Sequence, residues 1–443
     1  MPGVNPSNRR LRRANNLTEY GAASGGFGFG IPARIGTSYH GFRLFNRIKK
    51  ECCAPSPLPV ISWKILDTLT ITTAPPTEFG KFIAMSEDGS FLAVIAQDVL
   101  YPNLPANNQR KGSVHIFKKN TESMYLEVST HTPTADFMRI GNSSNMAQIA
   151  ISDDGHTVVY QEHDTNTNTG SAIILKKNTN NDQFTQLHKF LVDNNAGNAE
   201  VAISGDASRV AVAAAAEKEI DIYLLNAGNG QYAQEGATIE NTNNDNAANN
   251  FGRSLSFNTD GSRLVVGTNN GFYILGRTGA GGAWTSVQDF LGDAGTTGSF
   301  GKDVSISGNG ECLVASLPND GNINVYKKDA NANTFTLDTT INTNYGGIGQ
   351  KFGYSLNISK DGSKIITGNP EYDTPLNNNG MVIVYKKDGN NYVVDDKILT
   401  GQNVGEKFGF DVAISNNGMM IAGSAPDFPN NNDQGYVRVF KLY

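Results

Sequence analysis

Phe352-Gly353-Tyr354-Ser355-Leu356-Asn357-Ile358-Ser359-Lys360-Asp361-Gly362-Ser363-Lys364-Ile365-Ile366-Thr367-Gly368 is the stretch on which the fold turns. It reads as two short strands around a tight turn. Ser355 to Ile358 alternates small and apolar side chains, whereas Lys364-Ile365-Ile366 is nearly all apolar and is expected to be buried on both faces. Between them, Asp361 can bond back to its own backbone and Gly362 supplies the positive φ that a hairpin needs. Downstream, Gly380 to Lys387 alternates as a third strand, and Tyr392 to Leu399 is a more polar, outermost fourth.

The pattern returns along the chain. Its turn residue is Gly89, Gly155, Ala207, Gly261, Gly310, Gly362 and Gly418, at intervals of 66, 52, 54, 49, 52 and 56 residues. Fixed strands with loops of varying length suit propeller blades and not a solenoid of rigid period. Phe-Gly opens five copies: Phe79-Gly80, Phe251-Gly252, Phe300-Gly301, Phe352-Gly353 and Phe408-Gly409. The second and third copies have Asn145-Met146 and Gly197-Asn198 instead.

The loose ends are complementary. Gly435 to Tyr443 is a third strand with no fourth after it, and Ile61 to Asp67 is a fourth strand with no blade before it. Pairing the two closes a ring and removes both open edges. The expected fold is all-β: a seven-bladed β-propeller over 61–443, with an extended basic arm and Pro-rich hinge over 1–60. Composition agrees, since only 18% of the 443 residues are charged while glycine numbers 48, which suits short strands joined by many turns.

Phe408-Gly409, Ile414-Ser415-Asn416-Asn417-Gly418, Gly423-Ser424-Ala425-Pro426 and Gly435 to Phe440 together resemble an FG-GAP repeat, the unit of integrin α-subunit head propellers. The resemblance covers residues 61–443. Calcium-binding FG-GAP blades use a longer acidic loop at the first turn. Here the turn is only Ser86-Glu87-Asp88-Gly89, Ser152-Asp153-Asp154-Gly155 or Ser359-Lys360-Asp361-Gly362. One or two carboxylates on a tight hairpin do not enclose a cation that takes six to eight oxygens. The turns are therefore read as hairpin formers, with no metal and no cofactor. Asp164-x-Asn166-x-Asn168-x-Gly170 is a metal-like spacing in a loop where chance matches are common.

Catalytic signals are sparse. His40, His115, His131, His156, His163 and His188 do not recur at equivalent repeat positions, and no Gly-x-Ser-x-Gly elbow, phosphate loop or His-Glu-x-x-His is present. Gly25-Gly26-Phe27-Gly28-Phe29-Gly30 lacks the strand and helix of a nucleotide fingerprint. A recurring feature is the lysine pair closing third strands: Lys118-Lys119, Lys176-Lys177, Lys327-Lys328 and Lys386-Lys387. These form a candidate rim for an anionic glycan; the alternative is solvated strand ends that discourage aggregation.

Charge is asymmetric. Residues 1–50 carry nine Lys or Arg against Glu19, about +8, whereas the whole chain is −6. Arg9, Arg10, Arg12 and Arg13 are followed by Tyr39, Phe42, Leu44, Phe45 and Ile48, a set too apolar for a purely solvated linker. The arm is expected to dock on protein subunits of the same or a neighbouring type, with nucleic acid disfavoured. Cys52 and Cys53 are candidate interchain thiols or linker residues, and Cys312 is a core thiol. No signal peptide or membrane span is recognisable in the sequence. The expectation is a non-catalytic structural or interaction propeller, anchored by its arm in a virus particle or extracellular assembly. A glycan-binding adhesion module is the alternative; a propeller hydrolase would need acids from several blades gathered at the axial channel.

Overall fold

The computed structural model describes residues 62–71, 77–97, 111–134, 137–140, 148–192, 200–241, 250–277, 283–292, 299–342, 351–429 and 434–443. Arg9, Arg10, Arg12, Arg13, Tyr39, Phe42, Leu44, Phe45, Ile48, Cys52, Cys53 and the 25–30 glycine run lie outside the described residues. Every named element is a strand, and no helix among the described residues is long and apolar enough to cross a membrane.

The strands form seven antiparallel sheets, numbered here as blades 1 to 7 in chain order. Their innermost strands are Phe79–Met85, Ile149–Ile151, Glu200–Ile203, Ser254–Phe257, Val304–Ile306, Leu356–Ile358 and Val412–Ile414. Second strands such as Phe91–Ala96, Arg209–Ala214 and Met420–Ala425 are buried at every residue, as continuous apolar runs covered on both faces must be. Blades 2 and 3 are complete despite lacking Phe-Gly, and each gains a short fifth strand, Met138–Ile140 and Ile239–Glu240 respectively.

The ring closes as expected from the loose ends. Trp63–Leu69 pairs with Tyr436–Leu442, with Trp63 opposite Leu442 and Leu69 opposite Val437. Trp63 is fully buried in a cluster with Val382, Val384, Phe408 and Phe440, joining blade 7 to blade 6. Burial of a side chain this large contributes on the order of 3 kcal/mol.

Two recurring devices set the ends of the channel. At one end the Phe-Gly turn reaches the third strand of the preceding blade. A Cβ on Gly409 would lie 2.2 Å from the Met381 carbonyl oxygen, so only glycine fits there. At the other end the Ser-x-Asp-Gly hairpins meet around the axis. Seven backbone hydrogen bonds link them in a closed circle: Glu87 to Asp153, Asp153 to Gly205, Asp206 to Thr259, Thr259 to Gly308, Asn309 to Lys360, Lys360 to Asn416, and Asn416 back to Glu87.

Candidate functional site

The first strands of all seven blades enclose an axial cavity of about 200 Å3. Its turn end is plugged. Lys360 Nζ reaches across to Glu87 Oε1 at 3.1 Å and Asp153 Oδ2 at 3.4 Å, while Asn416 and Thr259 also donate to Asp153. Glycine at 308 leaves room for the Lys360 stem, since a Cβ there would sit 2.4 Å from its Cγ. The cavity therefore belongs to the Phe-Gly end.

The wall carries two buried carboxyls. Asp303 accepts from Ser254 Oγ in blade 4, its own neighbour Val304 N, and Leu356 N in blade 6. Asp411 repeats the arrangement with Ser355 Oγ in blade 6, Val412 N, and Ile83 N in blade 1. Burial pushes Asp303 up to about 6 against these hydrogen bonds, and burial pushes Asp411 up to about 7. Acids from different blades do gather at the channel, but both oxygens of each are already held by donors from neighbouring blades. They latch blades 4, 5, 6, 7 and 1 together.

Chemistry of another kind sits in blade 1. The third strand Ser113–Lys119 places Ser113 and His115 on one face, two residues apart. Gly112 locks the entry: its φ is +72°, and a Cβ would meet three backbone carbonyl oxygens within 3.0 Å. The fourth strand Tyr125–His131 brings Glu127 opposite Phe117, where a bulge between Ile116 and Phe117 shifts the register. Ser113 Oγ lies 2.7 Å from His115 Nε2, and His115 Nδ1 lies 2.7 Å from Glu127 Oε1. Phe79 packs edge-on against the imidazole at 5.7 Å.

The proton positions follow from Glu127. The hydrogen bond from His115 holds its carboxyl below the usual range, against burial that pushes it up, and Thr130 Oγ1 donates to the same oxygen. An ionised carboxylate only accepts, so His115 Nδ1 carries the hydrogen, and in the neutral ring Nε2 then presents its lone pair to the Ser113 hydroxyl. Hydroxyl, imidazole and carboxylate thus stand in hydrogen-bond series, an arrangement through which His115 can take the Ser113 proton. Ser113 and His115 are 1% and 5% exposed, which fixes their rotamers. Ser113, His115 and Glu127 form no recognisable sequence motif. Ser-x-His on a strand was readable as a shared face, but Glu127 is brought in by the bulged hairpin register.

The remaining sequence candidates are placed as follows. The lysine pairs end third strands at the turn end, Lys118 pairing in register with Phe91. Lys118 and Lys177 converge on Asp182 at 2.8 and 3.4 Å; Lys327 meets Asp338, Lys328 meets Glu311, and Lys386 meets Asp395. Lys176 donates to Thr157, Lys119 lies against the Met420 sulfur, and Lys387 is exposed. In the hairpins Asp88 accepts from Ser86 Oγ and Ser90 N, and Asp361 accepts from Ser359 Oγ and Ser363 N. Asp164 likewise closes a turn onto Asn166 N and Thr167 N. Cys312 is buried, and burial pushes its thiol up.

No protein-family model and no curated protein sequence matches the chain. Similar solved structures include the Pseudomonas aeruginosa periplasmic gluconolactonase, with TM-score 0.52, 14% identity, and 74% of this chain and 86% of that one covered. A Bacteroides fragilis protein bearing a 6-phosphogluconolactonase name has TM-score 0.52 and 14% identity, over 79% of this chain and 98% of that one. The β-propeller domain of Cps50 from Myceliophteria thermophila has TM-score 0.54 and 11% identity, over 86% and 100%. Likeness at this identity establishes the seven-bladed fold.

Two expectations are corrected. The FG-GAP resemblance is not matched by any family model, and two of these neighbours carry lactonase names while none carries an integrin one. The expectation that the chain is not an enzyme is corrected: two of the similar folds, the gluconolactonase and the 6-phosphogluconolactonase-named protein, carry enzyme names.

Proposed function

We propose that the chain is a serine-dependent hydrolase of a small ester or lactone. The observation that carries this reading is the Ser113–His115–Glu127 series, with both links at 2.7 Å. The gluconolactonase name of a similar fold supports the choice of substrate class. Ser113 Oγ bonds the carbonyl carbon while its proton passes to His115 Nε2. The C–O bond then breaks, and the imidazolium returns that proton to the leaving alkoxide. Water attacks the acyl-serine, giving a proton to His115, which restores the Ser113 hydroxyl as the acid departs. Glu127 fixes the tautomer of the neutral imidazole and stabilises the imidazolium that forms.

The test is hydrolysis of p-nitrophenyl acetate and of an aldonolactone by the purified full chain. Turnover that disappears in Ser113→Ala supports the reading, and equal rates in wild type and variant overturn it. The basic arm is separately proposed to dock on an acidic protein surface, supported by its charge against the acidic remainder of the chain. Native mass with and without residues 1–60 checks this, and an unchanged assembly state refutes it.

A further inference from the structure

We propose that Arg253, Lys302 and Lys351 form a binding site for the oxyanion group of a small molecule at the Phe-Gly end of the axial channel. The three come from consecutive blades. Arg253 follows Gly252 and Lys302 follows Gly301, so the turn that glycine makes possible aims both at the same end. Lys351 precedes Phe352 in the next repeat. Tyr354 is the floor under both lysines: Lys302 Nζ lies 3.0 Å and Lys351 Nζ 5.7 Å from its ring centroid.

Like charges have been brought together with too little to balance them. Lys351 is paired with Glu371. Asp303 is adjacent to Lys302, but its oxygens accept from Ser254, Val304 and Leu356. Arg253 donates through Nη1 to Asn269 at 2.9 Å, and its Nε is buried with no partner among the described residues. Lys302 has no carboxylate within ion-pair distance among the described residues. Burial, then the charges of Arg253 and Lys351, bring its ammonium down to about 7. Half-buried cations that repel one another, beside a donor with nothing to bond, are relieved by an oxyanion accepting from all three. The plug at Lys360 closes the opposite end, so an anion reaches the cavity from this face.

Calorimetric titration of the full chain with inorganic phosphate tests the site, with chloride at matched ionic strength as the blank and acetate as a second arm. Saturable phosphate binding that weakens at least tenfold in both Lys302→Met and Arg253→Gln is expected, with Lys387→Met unchanged. Tighter acetate than phosphate assigns a carboxylate ligand. Removing a repelled cation also relieves the free protein, so Lys302→Met is expected to melt at or above wild type without phosphate. No phosphate heat beyond the chloride blank, or Lys302→Met binding as wild type, overturns the proposal. Ser113→Ala is expected to bind phosphate normally, so failure of the hydrolase reading leaves this result distinct.

Discussion

The third strands of blades 1 and 7 begin alike: Gly112 and Gly435, at φ +72° and +75°, precede Ser113-Val114-His115 and Tyr436-Val437-Arg438. In each blade the Phe of its own Phe-Gly turn packs on this strand, Phe79 on His115 and Phe408 on Tyr436. In each a glutamate completes a polar series, an exposed one in blade 1 and a buried one in blade 7. Glu406, fully buried, takes Arg438 at 3.1 Å, the Tyr436 hydroxyl, and the backbone N–H groups of Gln402 and Asn403. The backbone positions are shared and the chemistry is not. Arginine stays protonated and only donates, so the blade 7 set is a clamp. Histidine both accepts and donates, so the blade 1 set can move a proton. A repeat thus offers a scaffold position whose role is decided by two side chains.

Breaking the clamp is expected to have the largest effect on stability. Arg438→Met leaves Glu406 charged and buried without its counterion, which costs about 3–5 kcal/mol. Urea unfolding of the variant measures it; a loss below about 1 kcal/mol would make the two sets energetically alike. Ser113→Ala in blade 1 is expected to cut ester hydrolysis by about 10³-fold or more. Its stability loss is expected to stay near 1–3 kcal/mol, the cost of one unpaired buried acceptor on His115. Glu127→Gln sharpens the contrast further. An amide at 127 no longer enforces the Nδ1–H tautomer, so turnover is expected to fall by about 10²-fold or more while the fold is retained. An unchanged rate in that variant would leave His115 without an orienting partner in the mechanism.

A pH-dependent effect is expected in the wall that joins these blades. Asp411 and Asp303 are raised in the folded ring relative to about 3.9 in an unfolded chain. The folded state therefore holds protons that the unfolded chain has released. The stability they contribute is present below about pH 4 and is lost as pH rises through about 7. Asp411→Asn is expected to flatten the fall of melting temperature across that window; a slope unchanged from wild type would remove the latch from the account.

Blades were legible where local chemistry is self-sufficient. Ser-x-Asp-Gly specifies its own hairpin, because Asp361 bonds Ser359 and Ser363 within five residues. It did so even in blade 3, where Ala207 takes the turn position at φ +58°. Ring closure was readable because two unfinished edges had to meet. The plug was not, since Lys360 finds Asp153 207 residues away. Nor was the relay. Placing Glu127 beside His115 depends on the bulge at Ile116, and a bulge leaves no fixed mark in the residues that form it.

An activated hydroxyl at Ser113 is open to covalent capture by an electrophile. The full chain is treated with a fluorophosphonate, and the adduct is located by intact mass and peptide mapping. One adduct per chain is expected, on Ser113, lost in His115→Ala and slowed in Glu127→Gln. An unlabelled chain, or an adduct that persists in Ser113→Ala, would contradict it.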